Sequence, residues 1–308
     1  MSTLDRYLAF RRRLPPRPPL AHQTVRARGL EFAVYTTPPV SGALPLLCIN
    51  GGLLFDHKLL WPALALLAAD RQLVFYDQRG RGRSSVPPGI AASRIEFDAG
   101  DVPALREALG IAQWDVLGHS WGGGIAMLAA ALDSATTPGA VRRLVLVNAV
   151  GVTGRWLPPL HEAALARLTG DARARLAACD VQALTRPDLA VHAAYAQAYF
   201  PAWFADVDFA RSVNPLVGDS LTGAHVAARL RREGYDWTDR LRDLRCPTLV
   251  VHGAADLLPL SEAEHTATFL AHARLAPIAD AGHNPFWEAP DAFFAAVQAF
   301  LTEGAPAS

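Results

Sequence analysis

The residue best placed to do chemistry in this chain is a serine set between glycines, in Gly118-His119-Ser120-Trp121-Gly122. It follows the apolar run WDVL (114–117) and precedes GIAML (124–128), a stretch that reads as helix. That context puts Ser120 on a sharp strand-to-helix turn, where small neighbours relieve Cβ clashes and the hydroxyl stands clear of the backbone. The helix N-terminus behind it favours developing negative charge. A serine hydroxyl alone is a weak nucleophile. It needs a base, and the base needs a group that fixes its tautomer. Asp256, in His252-Gly253-Ala254-Ala255-Asp256, and His283, in Ala281-Gly282-His283-Asn284-Pro285, follow in the order nucleophile, acid, base, each in a loop. His252 sits inside an apolar run and reads as a core histidine. His265 and His272 fall on a helical stretch, His119 points away from the turn tip, and Asp280 is too near His283 in sequence to reach its ring comfortably. A tetrahedral intermediate also needs backbone N–H donors. Asn50-Gly51-Gly52-Leu53 follows another apolar run, so Gly52 and Trp121 are expected to donate the two amides of an oxyanion hole.

These residues need elements to hold them. Five short runs, 45–50 (PLLCIN), 72–76 (QLVFY), 114–117 (WDVL), 143–148 (RLVLVN) and 248–252 (TLVVH), are almost continuously apolar. Strands buried on both faces look like this. Ala-, Leu- and charge-rich stretches at 61–69, 102–109 and 125–131 fit helices between them. Alternating strand and helix predicts a doubly wound, mostly parallel α/β sheet. The alternation stops after Asn148: the next ninety or so residues, broken by prolines 158, 159, 187, 201 and 215, contain no convincing strand and read as a helical insertion.

Length and composition bound the rest. A chain of 308 residues buries enough surface to need neither disulfides nor metals for its core. With 29 Lys+Arg against 29 Asp+Glu, there is no electrostatic case for a nucleic-acid partner. Cys48, Cys179 and Cys246 are odd in number and widely spaced, which fits neither a disulfide framework nor a metal site and points to a reducing compartment, the cytoplasm. No run of eighteen uncharged apolar residues suggests a membrane span. Arg11-Arg12-Arg13 is followed by prolines rather than the apolar stretch of an export signal.

Taken together, Asn50-Gly51-Gly52, Tyr76-Asp77-Gln78-Arg79-Gly80-Arg81-Gly82-Arg83-Ser84, Gly118-His119-Ser120-Trp121-Gly122-Gly123, Asp256 and His283 resemble the α/β-hydrolase superfamily, and within it the proline iminopeptidase family of serine aminopeptidases. The resemblance implies Ser120 as nucleophile, Asp256 as acid and His283 as base, with Asp77 and Arg79 pinning the loop beside the site. Two departures stand out. The family's His-Gly-Gly-Pro-Gly is here Asn50-Gly51-Gly52-Leu53-Leu54, and its ammonium-binding glutamate after a tryptophan aligns with Phe204, after Trp203. Asp206 and Asp208 are the expected substitutes, with Glu233 behind them. Tyr195, Tyr199, Phe200, Trp203, Phe204 and Phe209 form either an apolar wall facing the serine or plain packing within the insertion, since three of them keep helical spacing. Tyr199, Trp203, Phe204, Asp206 and Asp208 are therefore the expected substrate-binding set.

The expected organisation is an N-terminal arm at 1–24, an α/β-hydrolase core from 25–150 and 241–308, and a helical cap at 151–240. The expected activity is hydrolysis of a small amide or ester through an acyl-enzyme, by an aminopeptidase of the proline iminopeptidase type. A carboxylesterase or other small-molecule hydrolase is the enzymatic alternative, and a hydrolase-fold binding protein the non-enzymatic one. No cofactor or metal is called for, and the partner is a small-molecule or short-peptide substrate rather than nucleic acid or membrane.

Overall fold

The computed structural model describes residues 1–213 and 217–303, so Pro215 and the last five residues of the expected core lie outside the described residues. Eight strands form one sheet in the order β1-β2-β4-β3-β5-β6-β7-β8. The buried parallel part comprises β3 (Leu46–Ile49), β4 (Leu73–Tyr76), β5 (Trp114–His119), β6 (Val141–Val147) and β7 (Thr248–Gly253), where the five apolar runs lie. Their side chains alternate between two cores. Leu47, Ile49, Val74, Tyr76, Leu144 and Leu146 enter one, while Leu46, Cys48, Leu73, Phe75, Val145 and Val147 enter the other. Both faces are covered, which is why these strands show no polar alternation.

Three further strands are not among the runs expected from the sequence, although one of them is apolar and buried from Phe32 to Tyr35. β1 (Ala21–Ala27) and β2 (Leu30–Thr36) form an antiparallel hairpin, and β2 joins β4 antiparallel. β8 (Ala273–Ile278) pairs parallel with β7 at the far edge. Of β8 only Ile278 is buried, and Pro277 is tolerated on an edge strand. β1 begins inside the expected arm, and the arm carries a helix, α1 (Thr3–Arg13), started by a Ser2–Asp5 capping box. This helix is docked: the Phe10 ring stacks on Phe294 at 5.4 Å, and Arg13 grips both carboxylate oxygens of Asp291 at 2.8 Å.

Helix α3 (Trp121–Thr136) contains the expected helical stretch at 125–131, and α2 (Ile95–Ala108) covers that at 102–109 up to Ala108, with Leu109 as its C-cap. The stretch at 61–69 forms only a 3₁₀ turn over Ala65–Ala69. Between β6 and β7 the regular elements are helical: α4 (Leu160–Arg167), α5 (Gly170–Ala177), α6 (Leu189–Tyr199), α7 (Leu221–Glu233) and α8 (Thr238–Leu241), with short 3₁₀ turns. An antiparallel bridge, Thr153 to Asp236, ties the two ends of this insertion together. α9 (Leu260–Phe269), α10 (Pro285–Glu288) and α11 (Pro290–Thr302) complete the chain. No helix among the described residues is long and apolar enough to cross a membrane.

Candidate active site

Parallel strands deliver their carboxyl ends to one edge of a sheet, and open α/β sheets bind ligands there. Here β3 runs into Asn50-Gly51-Gly52, β5 into Ser120, β6 into Asn148, β7 toward Asp256 and β8 toward His283. Five segments far apart in sequence therefore converge.

Ser120 has φ 54° and ψ −121°, a conformation that L-residues seldom adopt. It heads α3, yet its side chain makes no capping bond, so the hydroxyl is not consumed by the helix. The turn tolerates no side chains beside it. A Cβ on Gly122 would stand 2.3 Å from the Ile49 carbonyl oxygen, and one on Gly51 would stand 2.5 Å from Ser120 Cβ. Glycine is required at both positions because β3 and the elbow touch backbone to backbone. Gly52 has φ 69° and its amide finds no backbone acceptor among the described residues. The Trp121 amide opens α3, where no carbonyl of the helix can reach it. Asn50, which stands in place of the family's histidine, braces the loop: its Nδ2 donates to the carbonyls of Gly51 at 3.1 Å and Phe55 at 3.3 Å.

His283 Nδ1 lies 2.8 Å from Asp256 Oδ2, both buried. Since an ionised carboxylate only accepts, Nδ1 carries the proton and Nε2 is left as the basic nitrogen. Burial alone would raise the Asp256 carboxyl, but attraction to His283, its hydrogen bond, His252 and Asn148 together hold it below the usual range. Asn148, at φ 44°, was not singled out from the sequence. Its Nδ2 donates to Asp256 Oδ2 at 2.7 Å and to the Gly282 carbonyl at 3.1 Å, tying the acid to the histidine loop. His252 is buried in β7 with Nε2 3.0 Å from the Leu258 carbonyl, the core histidine expected. Burial, then the proximity of His283, pushes His119 down to about 3. Neutral at ordinary pH, it donates from Nε2 to the His283 carbonyl at 2.9 Å. Asp280 is exposed.

The loop after β4 also sits where the sequence placed it. Asp77 is fully buried and accepts from the backbone amides of His57 and Arg83 and from the Tyr35 hydroxyl. Arg79 forks onto Asp101, and Gln78 Nε2 holds the Asn50 carbonyl at 2.8 Å. Asp56, His57 and Asp77 lie close enough to group around a metal ion, but Asp77 is already committed to these donors.

Ser120, Gly52 and Trp121 open into a cavity of about 180 Å³ walled by the helical insertion. α6 presents His192, Tyr195, Ala196 and Tyr199, and α7 presents Ala227, Leu230 and Arg231, each set spaced along one helical face. Rings run in series from Tyr195 to Tyr199 (5.3 Å between centroids), to Trp203 (5.1 Å) and onto the His283 imidazole (4.0 Å). Of the expected substrate-binding set, Tyr199 and Trp203 line this cavity. Phe204, Asp206 and Asp208 do not. Phe204 is fully buried behind it, against Phe200, Phe209 and Trp287. Asp206 Oδ1 accepts from the Phe209 amide at 3.0 Å, starting a 3₁₀ turn. Asp208 faces solvent beside Arg211, and Glu233 is exposed and bonded to Arg229. After Trp203 the chain turns extended at Phe204, which sends its ring into the core and both aspartates outward.

Glu288 of α10 is a second residue the sequence did not disclose. Fully buried, it accepts from the Gly282 amide at 2.7 Å through one oxygen and from the Asp206 amide at 3.1 Å through the other. The His283 amide donates to the Trp203 carbonyl at 2.7 Å, so these bonds clamp the insertion to the histidine loop. Burial, above all, pushes the Glu288 carboxyl up to about 7 against the pull of those amides. Unfolded glutamate titrates near about 4.3, so the stability tied to the protonated form is full below that pH and is lost as pH rises through about 7. In Glu288→Gln the amide nitrogen must oppose one backbone N–H, which costs about 1–3 kcal/mol. The expected result is lower stability, with the difference between wild type and variant moving against the wild type as pH rises through that window. Urea midpoints measured across pH check it; a pH-independent difference would show that Glu288 does not titrate there.

Residues 45–290 match the family model for the alpha/beta hydrolase fold. The chain belongs to the α/β-hydrolase family. Its relatives include the proline iminopeptidase of Lactobacillus delbrueckii subsp. bulgaricus, 30% identical over 270 residues that cover 79% of this chain and 84% of that protein. Among solved structures, VinJ superposes with a TM-score of 0.73 at 25% identity, covering 92% of this chain and 99% of VinJ. The proline iminopeptidase of Mycobacterium smegmatis gives 0.70 at 25% identity, covering 91% and 97%. The particular family this chain resembles is thus the proline iminopeptidases, as its motifs implied.

Proposed function

We propose that this protein is a serine hydrolase that cleaves a small ester or amide through an acyl-enzyme, with the insertion between β6 and β7 serving as its cap. The observation that carries this reading is the 2.8 Å His283–Asp256 pair at the same sheet edge as Ser120, whose unengaged hydroxyl opens into the cavity. His283 Nε2 takes the Ser120 proton as Oγ attacks the carbonyl, and the amides of Gly52 and Trp121 receive the oxyanion. The leaving group departs with the proton from His283. Water, deprotonated by the same nitrogen, then releases the acid and restores the serine.

Two substrate classes compete. The proline iminopeptidase relatives support an aminopeptidase, which must bind a free ammonium group. The cavity supports an uncharged or anionic acyl substrate, because no carboxylate lines it among the described residues. An ammonium ion entering an apolar pocket loses hydration that only a nearby anion offsets. We therefore place the ester or amide without a free ammonium first. A panel pairing proline and other amino-acid anilides with short acyl esters tests the choice. Turnover of esters and N-acylated substrates with little on free-amine anilides is the expected result. Turnover confined to free-amine anilides would select the aminopeptidase.

A further inference from the structure

Arg231 is the one formally charged side chain among the described residues that line the cavity. Its guanidinium lies over the Tyr195 ring, 5.0 Å from the centroid, at the opposite end of the aromatic series from His283. The neighbouring carboxylate, Glu233, pairs with Arg229 and Arg232 instead. Among the described residues no carboxylate pairs with Arg231, although a guanidinium carries five donors in a fork that matches a carboxylate. Half-buried on the wall of a ring-lined cavity, Arg231 is engaged by Tyr195 but has no carboxylate to neutralise it among the described residues.

We infer that Arg231 binds a carboxylate on the substrate, separated from the scissile carbonyl by an apolar segment that lies along Tyr195, Tyr199 and Trp203. The inference rests on the acyl-hydrolase reading above and narrows it to carboxylate-bearing esters or amides. It also gives a physical reason for the missing ammonium subsite, since a cation in this wall repels an ammonium ion and attracts a carboxylate, more strongly as water is excluded.

The test compares substrates matched in length. Mono-p-nitrophenyl adipate against p-nitrophenyl hexanoate places the carboxylate on the acyl side, and 4-carboxyphenyl hexanoate against phenyl hexanoate places it on the leaving group. The wild type is expected to prefer the anionic member of one pair through a lower KM. In Arg231→Gln the anionic-to-neutral ratio of kcat/KM is expected to fall roughly 10- to 100-fold, the effect of a lost charge-assisted bond, and Arg231→Lys to recover part of it. Equal use of both members of each pair by the wild type, or a ratio unchanged in Arg231→Gln, overturns the inference while the hydrolase reading stands. A direct binding arm separates the two failures. Calorimetric titration of the Ser120→Ala protein with monomethyl adipate should give binding that Arg231→Gln weakens to the same degree, even if no ester is turned over. Binding indifferent to Arg231 overturns the carboxylate site.

Discussion

Replacing Ser120 with alanine is expected to lower kcat about 10⁶-fold, the scale seen when a triad serine is removed, and to abolish labelling by a fluorophosphonate probe. The change deletes one oxygen that makes no capping bond to α3, so the strained backbone at φ 54° is inherited without a lost structural contact. Thermal unfolding should therefore be close to wild type. What remains is the cavity and the two amides proposed to meet the oxyanion, a combination that gives about 10³–10⁴-fold over water in comparable enzymes. Labelling that persists in the variant would place the nucleophile at another serine.

Asp256→Asn is expected to lower kcat about 10⁴-fold through loss of tautomer control. The surroundings of Asp256 explain why an amide cannot stand in. Its Oδ2 accepts from His283 Nδ1 and from Asn148 Nδ2, while its Oδ1 accepts from the Leu258 amide at 3.2 Å. An asparagine that keeps oxygen at the first position turns its NH₂ against Leu258. Flipped, it turns NH₂ toward His283 and drives the imidazole to the tautomer with a proton on Nε2, where the base is needed. Asp280→Asn serves as the comparison, since that side chain is exposed and outside the network. A large effect at Asp280 with a mild one at Asp256 would reassign the acid.

How much of this was legible beforehand depended on whether a residue's surroundings are local. Ser120 could be read because its turn is built from its own neighbours, with apolar β5 before it and α3 after it. Asp256 and His283 could be proposed as partners because chain order and strand ends limit the choices, and they do lie 2.8 Å apart. The five buried strands announced themselves through unbroken apolar runs, which both covered faces demand. Edge strands β1 and β8 did not, because a strand with one neighbour and an exposed face carries polar residues, charge and even proline.

The sequence alone determined the hydrolase architecture, the three residues proposed for catalysis, and the two amides proposed to meet the oxyanion. Tertiary structure decided what surrounds them. Asn148 and Glu288 join the site only because β6 and α10 meet the histidine loop, contacts spanning 134 residues in one case and six in the other. In the insertion, composition showed an aromatic cluster but not its sidedness. Packing turned Tyr199 and Trp203 toward the serine, buried Phe204, sent Asp206 and Asp208 outward, and brought Arg231 into the wall. The physical reason is that a helix shows its neighbours only a face. Spacing along the chain says which residues share that face, while what the face meets is fixed by partners that lie elsewhere in the sequence.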